Sequence, residues 1–149
     1  MKIALGSDHA GFAGKTALVR ALRRAGHRVI DAGPADGNRV DYPDFAAAVG
    51  RAVSAGRADR GVLVCGSGIG MAIAANKIRG VRAAVVWSEK TAGLAAAHNR
   101  ANVLCLGGRL FRTPRLIRFV RIWLKTPFEA GRHVGRIDKI AALEKRARR

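Results

Sequence analysis

Five short apolar runs, each closed by a turn and each followed by a longer stretch, set the strongest limit on the fold. The runs are Lys2-Ile-Ala-Leu-Gly6, His27-Arg-Val-Ile-Asp31, Gly61-Val-Leu-Val-Cys65, Val81-Arg-Ala-Ala-Val-Val86 and Asn102-Val-Leu-Cys-Leu106. Runs of this length suit buried strands better than helices. Phe12 to Ala25 carries Leu18, Val19 and Leu22 at helical spacing and stops at Gly26. Asp44 is placed to cap a helix to about Ala55, and Ser88 one to about Ala97. Ile69 to Ile78 forms another helix, and Pro114 opens one that reaches about Leu124. A last helix is expected from roughly Ile137 to Arg146, with the basic tail Lys145-Arg-Ala-Arg-Arg149. Strands separated by helices pair in parallel through crossovers. The pattern therefore predicts an α/β fold: a single-domain, Rossmann-like three-layer sandwich around a five-stranded parallel sheet. Residues 1–149 form that one domain, and 137–149 are its C-terminal helix and tail.

Composition supports this. A chain of 149 residues with 49% hydrophobic content can build a core without disulfides or metal. Cys65 and Cys105 are too few for a disulfide framework, which fits a reduced cytoplasmic setting. The apolar run at the amino terminus is too short for a signal peptide, and no segment reaches the ~18 apolar residues needed to span a bilayer. The net charge of +18 attracts anions. Thirteen of the 28 basic residues fall within 109–149, against three acids.

In an open parallel sheet, ligands bind beyond the carboxyl ends of the strands. Ser7-Asp8-His9 follows the first run, Cys65-Gly-Ser67-Gly-Ile-Gly70 the third, and Gly107-Gly-Arg109 the fifth. With His98-Asn99, at the end of the fourth helix, these loops are expected to converge on one cleft. The glycine turn lets N–H groups approach a ligand at the start of a helix, which suits a phosphate or a developing oxyanion. It reads equally as a tight connection. It lacks the Gly-Lys-Ser/Thr of a P-loop, and its G-x-G-x-G spacing is a poor dinucleotide fingerprint. A thiol beside a helix amino end is a candidate base or nucleophile; the competing reading of Cys65 is a buried structural cysteine, and that reading is taken for Cys105. His98-Asn99 and Asp8-His9 also read as ordinary helix caps. Arg132 and Arg136, if helical, share a face and can clamp one phosphate, or belong to a solvated basic cluster. The four histidines show no metal-ligand spacing, so neither metal nor cofactor is expected.

Together, Gly6-Ser-Asp-His-Ala-Gly-Phe12, Asp41-Tyr-Pro43, Cys65-Gly-Ser-Gly-Ile-Gly70 with Ile73-Ala-Ala-Asn-Lys77, His98-Asn99, Ala101-Asn-Val-Leu104, Gly108-Arg109 and Gly131-Arg-His133 with Arg136 resemble the ribose-5-phosphate isomerase B family, which includes the galactose-6-phosphate isomerase subunits. The resemblance implies metal-independent aldose–ketose isomerisation of a phosphosugar. It implies Cys65 as the base acting between C1 and C2, and Ser67 with His98 as the groups that open the sugar ring. Asp8 would move the proton between the two oxygens. Asn99 and the N–H groups of Gly66, Gly68, Ile69 and Gly70 would hold the enediolate. His9, Arg132 and Arg136, with Arg109 nearby, would contact the phosphate, and Tyr42 would line the sugar pocket. Some members carry a glutamate base just after the turn; Met71 stands there in this chain. The resemblance also implies a homodimer or tetramer with a site shared between subunits.

This chain departs from the family pattern at Arg100, Ala97 and Trp87, which leaves open a phosphosugar of four to six carbons other than ribose 5-phosphate. A rival from another class is a nucleic-acid-binding protein on this scaffold, suggested by the charge and the stripe Arg112, Arg115, Arg118 and Arg121. The few aromatic residues available for base stacking argue against it.

Overall fold

The computed structural model describes residues 1–146. Its elements alternate as the apolar runs require: β1 (Lys2–Ser7), α1 (Phe12–Arg24), β2 (Arg28–Asp31), α2 (Tyr42–Ser54), β3 (Arg60–Cys65), α3 (Ile69–Ala75), β4 (Ala83–Val85), α4 (Glu89–Ala97), β5 (Val103–Gly107), α5 (Thr113–Lys125) and α6 (Arg132–Arg146). The five strands form one all-parallel sheet in the order β2-β1-β3-β5-β4. From β1 the chain steps outward to β2 and then returns to the other side of β1 as β3. The strand order therefore reverses between β1 and β3, which is where such sheets open a ligand crevice.

Side chains alternate across the sheet and define the two outer layers. Ile3, Leu5, Val62, Val64, Leu104 and Leu106 face α1, α4 and α5, where Leu18, Ala92, Leu116, Phe119 and Trp123 complete one core. Ala4, Leu63, Cys65, Val103 and Cys105 face α2 and α3, meeting Val49, Val53, Met71 and Ala75. This is the three-layer sandwich the pattern predicts. Among the described residues, no helix is long and apolar enough to cross a membrane.

Several boundaries differ from those expected, each for a local reason. Asp41, not Asp44, is the N-cap of α2, because Pro43 suits the first turn and draws the helix start forward. Asp44 lies in that first turn, where its charge complements the helix dipole. Helix α3 stops at Ala75 rather than Ile78. The Asn76 amide pairs with the backbone of Ala83, donating to its carbonyl at 2.9 Å and accepting its N–H at 2.8 Å, and so turns the chain toward β4. Helix α6 starts at Arg132, five residues before the expected Ile137, directly after Ala130 and Gly131 take positive φ values of 55° and 51°. Of the basic tail, residues 147–149 lie outside the described residues.

One buried charge escaped the sequence reading. Lys15 is 2% exposed, on α1. Its ammonium donates to both Asp31 oxygens, at 2.7 and 3.0 Å, and to the Pro34 carbonyl at 2.8 Å. All three donors of the ammonium are thus used, and α1 is tied to the exit of β2.

Two outcomes follow from this packing. Phe119→Ala empties the centre of the α1–α5 core and is expected to lower unfolding free energy by about 3–5 kcal/mol in a urea titration; an unchanged midpoint would contradict the packing described. Cys105 is fully buried, and burial first, then the Cys65 sulfur, push its thiol well above the ordinary range. Mass spectrometry should find Cys105 unlabelled by iodoacetamide in native protein and labelled once urea unfolds it. Rapid native labelling would contradict this placement.

Candidate active site

The parallel register brings three strand ends to one level. Ser7 pairs with Val64, and Cys65 with Gly107. The loops that leave them mesh backbone to backbone. Asp8 N–H donates to Val64 O at 3.2 Å, Gly108 N–H to Cys65 O at 2.7 Å, and Arg109 N–H to Gly66 O at 3.1 Å. A Cβ on Gly11 would lie 2.1 Å from Val64 O, so only glycine allows this approach. Tyr42, from the start of α2, lays its ring on the glycine turn: a Cβ on Gly70 would meet that ring at 2.6 Å. Asp8, Tyr42, Cys65–Gly70 and Arg109 are thereby brought together at the carboxyl edge of the sheet, with His9 next to Asp8.

Cys65 is 5% exposed, at the tip of β3. Gly68, at a left-handed φ of 85°, aims its N–H at Cys65 Sγ from 3.1 Å. Ile69 N–H donates to Ser67 Oγ at 3.3 Å. Two N–H groups of the turn are therefore directed onto its own side chains. The expectation that the whole turn meets an oxyanion narrows to its remaining donors. Asp8 is 8% exposed, and its Oδ1 accepts Gly11 N–H at 2.9 Å. Asp8 is not the cap of α1, whose N-cap is Gly11 without a side-chain cap bond; its Oδ1 closes the loop ahead of the helix, while Oδ2 makes no hydrogen bond among the described residues. His9 Nδ1 is buried without a protein partner, the kind of orphaned polar atom that a ligand satisfies.

His98 and Asn99 are elsewhere. A helix after a parallel strand runs back along the sheet, so α4 ends at the amino edge. The contacts agree. Arg82 N–H, just before β4, donates to Asn102 Oδ1 at 2.7 Å, and Arg82 Nη2 donates to Arg100 O at 2.9 Å. Asn99 lines a cavity with Val81, Arg82, Ile140 and Leu143. A six-residue strand such as β3 is about 20 Å long, so His98 does not share a cleft with Cys65 of its own chain. The expected convergence of all four loops fails because α4 reverses direction.

A second cluster surrounds His98. Glu129 N–H donates to Ala97 O at 3.0 Å, which fastens the chain ahead of α6 to the end of α4. The His98 and His133 rings stack with centroids 4.3 Å apart and planes 13° apart. Glu129 Oε2 lies 3.3 Å from His98 Nε2 and 3.8 Å from His133 Nε2. His133 is 5% exposed; burial, then His98, Arg132 and Arg136, hold its pKa below the usual range, against the pull of Glu129. Arg132 and Arg136 are helical, so they share a face as anticipated. Arg100 closes α4 at a positive φ of 45°, and its guanidinium lies over the Phe128 ring at 5.7 Å. Glu129 went unnoticed in the sequence, and His133 was quoted only as part of a motif, because only the fold brings them to His98.

The ribose/galactose isomerase family profile matches residues 3–140. Ribose-5-phosphate isomerase B of Escherichia coli is 43% identical over 145 residues, covering 97% of each chain. The solved structure of Clostridium thermocellum ribose-5-phosphate isomerase B superposes with a TM-score of 0.97 at 44% identity, over 99% of each chain. That of the Mycoplasma genitalium enzyme with bound ribulose 5-phosphate gives 0.94 at 45% identity, over 97% of this chain and 96% of that one. With the cysteine, glycine turn and aspartate held at one sheet edge, these likenesses establish that the chain belongs to the ribose/galactose isomerase family.

Proposed function

We propose that this protein is a metal-independent aldose–ketose isomerase that interconverts ribose 5-phosphate and ribulose 5-phosphate through an enediolate. The observation that carries the reading is the placement of Cys65 level with Asp8 at the switch point, under the glycine turn. A C–H beside a carbonyl is weakly acidic, so its removal needs a base against the carbon and donors against the oxygen. Cys65 takes the proton from C2 of the open-chain aldose and returns it to C1. Asp8 moves the hydroxyl proton from O2 to O1. The free N–H groups of the turn, with Asn99, meet the charge on oxygen. Base and donors typically supply ~10²–10⁴-fold and ~10²–10³-fold respectively. Met71 stands where some members of the family carry a glutamate base and has no basic atom, which supports Cys65, the base that the resemblance implies.

The site is completed by a second copy of the chain. Cys65 and His98 lie at opposite ends of the sheet, yet ring opening and proton transfer act on neighbouring sugar atoms. A two-fold interface that sets one chain's carboxyl edge against the other's amino edge makes two complete sites. His9 and Arg109 then meet the phosphate from one side, Arg132 and Arg136 from the other. Ile69, Ile73 and Trp87 are 56%, 60% and 61% exposed, apolar surface of the kind an interface covers. A homodimer is the smallest such assembly, and a tetramer repeats it. Both cysteines are free, in keeping with a cytoplasmic setting.

The nucleic-acid alternative gains little. Within the basic stripe of α5, Arg118 pairs with Glu89 at 2.7 Å, and Arg115 lies over the Phe111 and Phe119 rings at 5.4 and 5.7 Å. Half of the stripe is thus engaged by the protein itself.

A panel of four- to six-carbon phosphosugars assayed on wild type and Cys65→Ala tests the proposal. Ribose 5-phosphate should be the fastest aldose substrate, and the variant should lose about 10²–10⁴-fold in kcat while still binding it. Undiminished turnover in the variant would remove Cys65 from the mechanism, and preference for another sugar would reassign the substrate.

A further inference from the structure

Glu129 has no role in the chemistry set out above, yet its carboxylate faces the stacked pair of His98 and His133. Ligand atoms of the three residues lie within 4.8 Å of one another, a spacing that a divalent cation can use. Two features oppose that use. The rings are 13° from parallel, so their in-plane lone pairs do not converge on one point. The guanidinium groups of Arg132 and Arg136 act on the same cluster and repel a cation.

We propose that Glu129 is the positioning residue for His98. It holds the imidazole with Nε2–H toward the carboxylate and leaves Nδ1 as the atom that serves the sugar. This rests on the isomerase reading and assigns a further residue to it. Three constraints fix the ring. The Glu129 main chain is pinned to Ala97, the residue before His98, through its N–H. Glu129 Oε2 stands 3.3 Å from His98 Nε2, the nearer of the two imidazoles. The buried His133 ring backs the flat face of His98 and limits its rotation. Which nitrogen of a histidine is free to act is set by the partner of the other nitrogen. Here the Glu129 carboxylate, a charge contact 3.3 Å from Nε2 rather than an aligned hydrogen bond, is the group that favours the proton on that nitrogen.

The position suits the step. Opening the furanose breaks the C1–O4 bond and forms the C1=O1 double bond, while one proton passes from the C1 hydroxyl to O4. His98 handles this proton through Nδ1, with Ser67 Oγ at the other end of the transfer. The carboxylate also balances positive charge on the imidazole against Arg132 and Arg136 while the proton resides there. A neutral side chain at 129 leaves the ring free to flip and the charge uncompensated.

Glu129→Ala in the full-length protein tests this. The Glu129 side chain is 58% exposed, and the main-chain link to Ala97 does not need it, so the fold is preserved. Three readouts are taken together. ¹⁵N NMR of His98 should show a single Nε2–H tautomer in wild type and a mixture in the variant. Turnover of ribose 5-phosphate should fall about 10- to 100-fold. Solvent deuterium exchange into C1 of ribulose 5-phosphate, which is open-chain because its C5 oxygen carries the phosphate, should stay within about threefold of wild type. A tautomer signature that does not change, turnover that does not fall, or exchange that falls in step with turnover would each overturn the proposal. A wild-type protein that neither isomerises nor exchanges would instead sink the isomerase reading, and the NMR comparison would still decide what Glu129 does to His98.

Discussion

The parallel hydrogen-bond register of β1, β3 and β5 is the constraint on which everything else depends. Pairing Ser7 with Val64 and Cys65 with Gly107 fixes the heights of three loops to within one residue. Cys65, Asp8 and Arg109 owe their proximity to that ladder, which also lets the Arg109 side chain lie beside Gly66. A slip of one residue in β3 would turn Cys65 from the α2–α3 face to the opposite face of the sheet. The same polarity that gathers these loops also separates the rest. Because every strand points one way, every crossover helix points back, and α4 carries His98 to the far edge.

The proposed division of the chemistry between two ends accounts for features that are odd in an isolated chain. The proposed base, Cys65, is buried at one edge beside a partly exposed glycine turn, and the apolar side chains of Ile69 and Trp87 are exposed. His98, the proposed acid–base histidine, sits at the other edge among Arg132, Arg136 and Glu129, with Val134 and Leu143 of α6 exposed. On the proposed reading neither half performs an isomerisation alone, and each presents the surface that the other half needs. Helix α6 connects the two roles. It carries the proposed phosphate clamp and also touches the strand edge, where Glu144 accepts Gly80 N–H at 3.0 Å.

Much of this was legible in the residues. Apolar runs such as Val62-Leu-Val-Cys65 announce buried strands, and turn glycines mark the crossovers, so the layered parallel fold could be read directly. The carboxyl-edge half of the site was also readable, because strand ends and the loops after them are contiguous in sequence. What escaped depends on long-range placement. Nothing local reveals that Lys15 points inward to Asp31, that Gly68 spends its N–H on Cys65, or that His133 stacks on His98. The misplacement of His98 arose from treating the end of α4 as if it were the end of a strand. The late start given to α6 arose because the turn that opens the helix, with Ala130 and Gly131 at positive φ, is a backbone feature that no residue pattern before Ile137 announces.

The central claim is that catalysis needs the Cys65 edge of one chain and the His98 edge of another. Cys65→Ala and His98→Ala proteins, each inactive alone, can be mixed, unfolded and refolded so that their subunits exchange. If the account is right, each mixed dimer holds one doubly altered site and one intact site, and the mixture regains roughly a quarter of wild-type turnover. If mixed dimers form but turnover stays at the level of the parents, both residues serve the same chain's site and the account is wrong.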